Sequence, residues 1–170
     1  VRIEGEDLTY TVSYNINDVD TKTSSWLDQG VVRSDKDRVK KINFHGKKLS
    51  LVKSNKKFIV SSELVKNYNE DKINSIVEDV FSIGFDDVLD KGSKYGEEVL
   101  KYSLDFVDNR NKSFTFYSEV KDRKKEDVKS DNYIYRVSGV DHLFVIKRDK
   151  VESLLGLKKE DLADLDNVSS

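Results

Sequence analysis

Hydrophobic positions recur along the chain at two periods, and the places where the period changes divide it into elements. Val1–Ile3 and Leu8–Tyr14 flank the polar turn Glu4-Gly5-Glu6-Asp7, and Leu8, Tyr10, Val12 and Tyr14 alternate onto one face, which predicts a hairpin. The polar stretch from Asn17 to Gln29 ends in Trp26-Leu27, with Gly30 as its stop, and predicts a short helix pinning Trp26 to the core. Val39–Phe44, Leu49–Lys53 and Phe58–Val60 follow as strands, and the turns between them are short enough to require an antiparallel meander. Then the period lengthens. Ile73, Ile76, Val77, Val80 and Phe81 fall on one helical face, predicting a helix from about Glu70 to Ile83, capped by Asn69 and closed by Gly84.

Phe85–Leu89 reads as a further helical turn and Lys91–Gly96 as a loop. Alternation returns at Tyr102, Leu104 and Phe106 and, past Asp108-Asn109-Arg110-Asn111, at Phe114 and Phe116, which predicts a hairpin with one apolar face. Asp122–Asp131 is a charged connection. Tyr133–Val137 and Leu143–Lys147 make another hairpin around Ser138-Gly139. A helix near Asp149–Leu155 that stops at Gly156 and a final one through about Glu160–Leu165 complete the chain. The sum is an α+β fold of antiparallel meanders, with the amphipathic helix packed on one face.

An internal repeat shows when the two hairpins are aligned. Arg2–Val12 matches Arg136–Ile146 in its glycine, its aspartate and its apolar alternation, and Trp26-Leu27-Asp28 falls where Asp161-Leu162-Ala163-Asp164 falls in the second copy. On that reading residues 1–32 end a preceding repeat unit and 33–170 form one full unit, the alternative being a single compact domain.

Composition, charge and the start of the chain add further constraints. Hydrophobic and charged residues each make up 36% of the 170, with eight Tyr, eight Phe and one Trp, so the chain has the apolar surface for a packed core. Absence of cysteine excludes a disulfide framework and a thiolate nucleophile. A start at Val1 inside a strand-like run, with no signal peptide, reads as a piece cut from a longer protein whose anchor lies elsewhere. Charge nearly cancels overall, yet Arg33–Lys57 holds ten basic residues against two acids. Arg33, Arg38, Lys40, Lys41, Lys47 and Lys48 are therefore the candidate binding residues, weighed against the plainer reading of a wet sheet face.

Other chemistry is sparse. His45 and His142 are far apart in sequence and lack neighbouring ligands, and Gly92-Ser93-Lys94 lacks the upstream glycine and strand of a phosphate loop. The pairs Asp86-Asp87 and Glu97-Glu98 read as surface acids. Aromatics interleaved with bases at Tyr133, Tyr135, Arg136 and at Phe114, Phe116, Tyr117, Lys121 suggest a single-strand nucleic acid platform only superficially, because the alternation puts the rings on one packed face, and no nucleic acid partner is expected. No catalytic residue, cofactor or metal is expected, and elemental analysis of the dialysed protein should find no stoichiometric zinc or iron.

The motif order resembles the bacterial domain of unknown function 4340 family. The carrying residues are Trp26-Leu27-Asp28, Val39-Lys40-Lys41-Ile42, Phe58-Ile59-Val60, the helix with Ile73, Ile76, Val77 and Val80, and the closing Tyr133–Gly139, Leu143–Ile146 and Leu162–Leu165. Phe58 stands where the family usually shows Trp. The resemblance implies a membrane-tethered protein facing the periplasm or cell exterior, beside ABC-type transport or gliding-motility components. The expectation is thus a non-enzymatic extracytoplasmic interaction domain, monomeric or weakly dimeric. The alternative is a module in which the basic 33–57 region binds a polyanion, glycan or lipid headgroup; an enzyme ranks third.

Overall fold

A computed structural model describes residues 28–61, 68–90, 92–119 and 131–163. Eight antiparallel strands form one sheet: β1 (Val39–His45), β2 (Leu49–Ser54), β3 (Lys57–Val60), β4 (Asp87–Leu89), β5 (Glu98–Phe106), β6 (Asn111–Ser118), β7 (Asn132–Val137) and β8 (Leu143–Lys147), in the order β3-β2-β1-β5-β6-β7-β8-β4. Two meanders, β1–β3 and β5–β8, join along the β1–β5 pair. Helix α1 (Glu70–Ser82) leaves β3 at one edge, and the chain then delivers β4 to the other. Seven strand spacings separate those edges by about 34 Å, whereas thirteen helical residues span about 20 Å. The helix and the links on either side of it together carry the chain from one edge to the other.

That crossing buries Ile73, Ile76, Val77 and Val80 as the helical period requires, and the Asn69 side chain accepts from the Lys72 N–H. Phe81 is only half-buried, its ring 6.4 Å from that of Phe58. Gly84 does not close the helix: Ile83 turns to extended backbone at once. The Gly84 Cα instead sits against Gln29: a Cβ there would lie 2.7 Å from Gln29 Oε1 and would displace that amide. The Gln29 amide accepts from the Phe85 N–H and donates to the Phe85 carbonyl, tying the segment before β1 to the end of α1.

Paired residues place one apolar face toward α1 and α2 (Glu152–Gly156). Ile42 stands opposite Leu51 and Leu104, Tyr102 opposite Phe114, Phe116 opposite Tyr135, and Tyr135 opposite Phe144. Aromatic rings form a continuous row: Phe44, Tyr102, Phe114 and Phe116, Tyr135, Phe144, and finally Phe85, with successive centroids 4.8–6.0 Å apart. Within it the Tyr135 hydroxyl donates to the Gly84 carbonyl at 2.8 Å, whereas the Tyr102 hydroxyl is fully buried without a partner. Tyr135→Phe should lower stability by about 1 kcal/mol, because the Gly84 carbonyl loses its donor. Tyr102→Phe should be neutral or stabilising, since it removes an unmet desolvation cost. Urea denaturation of both variants checks the contrast.

Several expected elements take other forms. Phe85–Leu89 is not a helical turn: Asp87–Leu89 is β4, held to β8 by Val88 opposite Phe144. Asp86 fastens its start, accepting from the Lys147 N–H at 2.9 Å and from Lys150 Nζ at 2.6 Å. Burial pushes the Asp86 carboxyl up, but those bonds outweigh it and hold the group below its ordinary value. Asp86 is thus an anchoring residue, while Asp87, Glu97 and Glu98 are exposed acids as expected. The helix expected near Asp149–Leu155 is a 3₁₀ turn, Arg148–Lys150, followed by α2, and Gly156 is the last residue of α2 rather than its stop. The final helix is a 3₁₀ turn over Lys159–Leu162. Gly30 likewise lies inside a 3₁₀ turn, Gln29–Val31. The Val1–Tyr14 hairpin and Trp26, on which the repeat depends, lie outside the described residues; only its second hairpin, β7–β8, is on view.

Candidate functional site

The ten basic residues of Arg33–Lys57 do not converge. Arg38 and Lys47 lie beyond opposite ends of β1, about 20 Å apart along the strand. Lys40, at an irregularity in the β1–β5 pairing, reaches Asn109 Oδ1. Lys41 stands opposite Asp105 on the face away from the helices. Lys48 is exposed in the β1–β2 turn with φ +49°. Lys47 turns the other way and donates to the Leu155 and Leu157 carbonyls at 2.7 and 2.9 Å, satisfying the end of α2. Burial pushes its amine below the ordinary value against the pull of Asp161. Lys36, Lys53 and Lys57 pair with Glu78, Asp37 and Glu70. Most of the local charge excess is therefore spent on holding the sheet to the elements around it.

Arg33 and Arg38 do come together, at a corner built with residues from the β5–β6 hairpin. A cavity of about 350 Å³ there is lined by Arg33, Ser34, Arg38, Phe106, Arg110 and Lys112, among others. The turn Val107–Arg110, tightened by Asn109 at φ +63°, supplies Asp108, whose Oδ2 accepts from Arg38 at 2.7 Å and from Arg110 Nε at 2.9 Å. The Arg110 bond first, then its charge and that of Arg38, hold the Asp108 carboxyl below its ordinary value. Arg110 lies over the Phe106 ring, 5.5 Å from its centroid. Lys112, opposite Leu104 on the covered face, donates to the carbonyls of Val31, Val32 and Arg33, and burial lowers its pKa. Sequence reasoning missed Arg110 and Lys112, which are remote in sequence from the basic run; the Asp108-x-Arg110 turn was their only local signal.

The other face is polar over β1, β5 and β6, while β7 and β8 set Ile134 and Leu143 on it, both buried. Asn43 stands opposite Ser50 and Ser103, Ser103 opposite Ser113, and Thr115 opposite Lys101 and Arg136. Asn43 donates to Asp105, and His45 Nε2 lies 3.0 Å from Ser103 Oγ. Toward β7 the surface hollows into a cavity of about 360 Å³ lined by Ser113, Thr115, Tyr117, Arg136, Asp141 and His142, among others. Tyr95 and Tyr117 stack at 4.3 Å, and the Arg136 guanidinium lies 5.3 Å from the Tyr95 centroid. Among the described residues no His, Cys, Asp and Glu group is placed to hold a metal ion, and no helix is long and apolar enough to cross a membrane.

Residues 1–105 match a family described as Domain of unknown function (DUF4340). The match runs from the start of the chain into β5, so the closing residues Tyr133–Leu165 lie beyond it. No curated protein and no solved structure matches the chain.

Proposed function

The chain belongs to the domain of unknown function 4340 family, and from that premise we propose a non-enzymatic interaction domain of a membrane-anchored envelope protein, docking a partner of a transport or motility complex on its open sheet face. The observation that carries the reading is the contrast between the two faces. One is sealed by α1 and α2 over the aromatic row; the other presents short hydroxyl and amide side chains on β1, β5 and β6 beside a hollow rimmed by Tyr117 and Arg136 and floored in part by Leu143. Tyr and Arg are the residue types that contribute most to protein interfaces, because each covers a large area and still offers donors. Small polar neighbours allow close approach and supply further hydrogen bonds.

These 170 residues have no cysteine, so a Thr115→Cys variant, in a full-length protein cleared of any cysteine outside them, carries its thiol in the hollow. Labelling by a membrane-impermeant maleimide is expected in intact spheroplasts, and reaction only after lysis would refute the extracytoplasmic placement. A photo-activated cross-linker on the same thiol should capture a co-encoded transport or motility component. Failure to capture one there, with capture from Lys57→Cys on the far edge strand, would refute docking by this face.

A further inference from the structure

We infer that the corner cavity between the Arg33–Arg38 segment and the β5–β6 hairpin binds a phosphoryl group, independently of any partner on the open face. Four cationic side chains, Arg33, Arg38, Arg110 and Lys112, meet there against two carboxylates, Asp35 and Asp108. Both carboxylates are engaged: Asp35 accepts from the Asp37 N–H, and Asp108 is shared between Arg38 and Arg110. The Arg33 side chain has no hydrogen-bond or ion-pair partner among the described residues. A dianion would cancel the surplus.

Geometry favours a phosphoryl group over a simple halide or a lone carboxylate. Each guanidinium presents five N–H donors in a planar fork, and Asp108 occupies one nitrogen of Arg38 and two of Arg110. The rest remain available to a group with three or four oxygens. The Ser34 hydroxyl, which lines the same cavity, is buried with no partner, a cost that an oxygen acceptor would relieve. Phe106 lies beneath Arg110 and limits the orientations its fork can take. Lys112 is spent on the carbonyls of residues 31–33, so it fixes the Arg33 backbone and leaves ligand contact to the arginines.

The test is titration of the ¹⁵N-labelled 170-residue chain with inorganic phosphate, followed by NMR. Saturable shifts are expected at Ser34, Arg38 and Arg110. Arg33→Glu should weaken binding at least about tenfold, the loss expected for a charge-assisted contact turned repulsive. Arg33→Ala should weaken it less, with the melting temperature unchanged. Lys48→Glu makes the same charge change away from the cavity and should leave affinity within about twofold. A second arm uses phosphatidylcholine vesicles containing phosphatidic acid, whose headgroup is a terminal phosphate: sedimentation with them, competed by phosphate and lost in Arg33→Glu, assigns the group to a lipid headgroup. Phosphate binding without sedimentation assigns it to a soluble phosphate. Absence of saturable shifts, or equal weakening by Lys48→Glu, overturns the proposal.

Discussion

Val77→Asp is expected to abolish cooperative folding. Val77 is 1% exposed in the middle of α1, and its neighbours on the buried side of the helix are Ile73, Ile76 and Val80. Replacing it forfeits about 1.5–3 kcal/mol of apolar burial. It also leaves a carboxyl with no partner, which costs several kcal/mol more even if the group protonates. Together these approach the roughly 5–15 kcal/mol that holds a domain folded. The neighbouring Glu78→Ala changes an exposed side chain paired only with Lys36 and should shift stability by no more than about 1 kcal/mol. Circular dichroism melts read both: a cooperative transition in Val77→Asp near that of the parent would mean that α1 does not seal the sheet.

The strands and α1 were legible because each presents several apolar positions at its own period. Tyr102, Leu104 and Phe106 on β5 or Ile73, Ile76, Val77 and Val80 on α1 report a buried face before any partner is known. β4 was not legible, for three residues cannot display a period of two; its extended form comes from pairing with β8, some 55 residues on. Short segments such as Arg148–Lys150 and Lys159–Leu162 are similarly settled by packing rather than by pattern. The basic run was visible as density, but linear density carries no direction. Successive residues of a strand point to opposite faces, and the ends of β1 are far apart, so Lys41, Lys47 and Arg38 separate in space. Of the six candidate cations Arg33 and Arg38 share the corner cavity, and its third arginine arrives from a hairpin some 70 residues away.

Phe116→Ala is expected to cost more than Phe85→Ala, although both remove the same buried atoms. Phe116 is fully buried on β6, with four strands of the sheet on one side of its own and three on the other. Its ring stacks between Tyr102 at 5.9 Å and Tyr135 at 5.0 Å. Truncation leaves a cavity walled by strands fixed on both sides, so little collapse can offset a loss of about 3–5 kcal/mol. Two aromatic contacts go with it, each worth about 0.5–1.5 kcal/mol. Phe85 ends the row, with Phe144 at 5.1 Å as its one ring neighbour among the described residues, and sits on the link between α1 and β4. A cavity there would lie beside the edge strand, with packed strands on one side only, and the loss should fall toward the lower end of the same range. Urea denaturation with equal m-values for the two variants would establish the order. A larger loss in Phe85→Ala would place the mechanical centre of the core at the edge strand, and the row of rings would then be packing without a keystone.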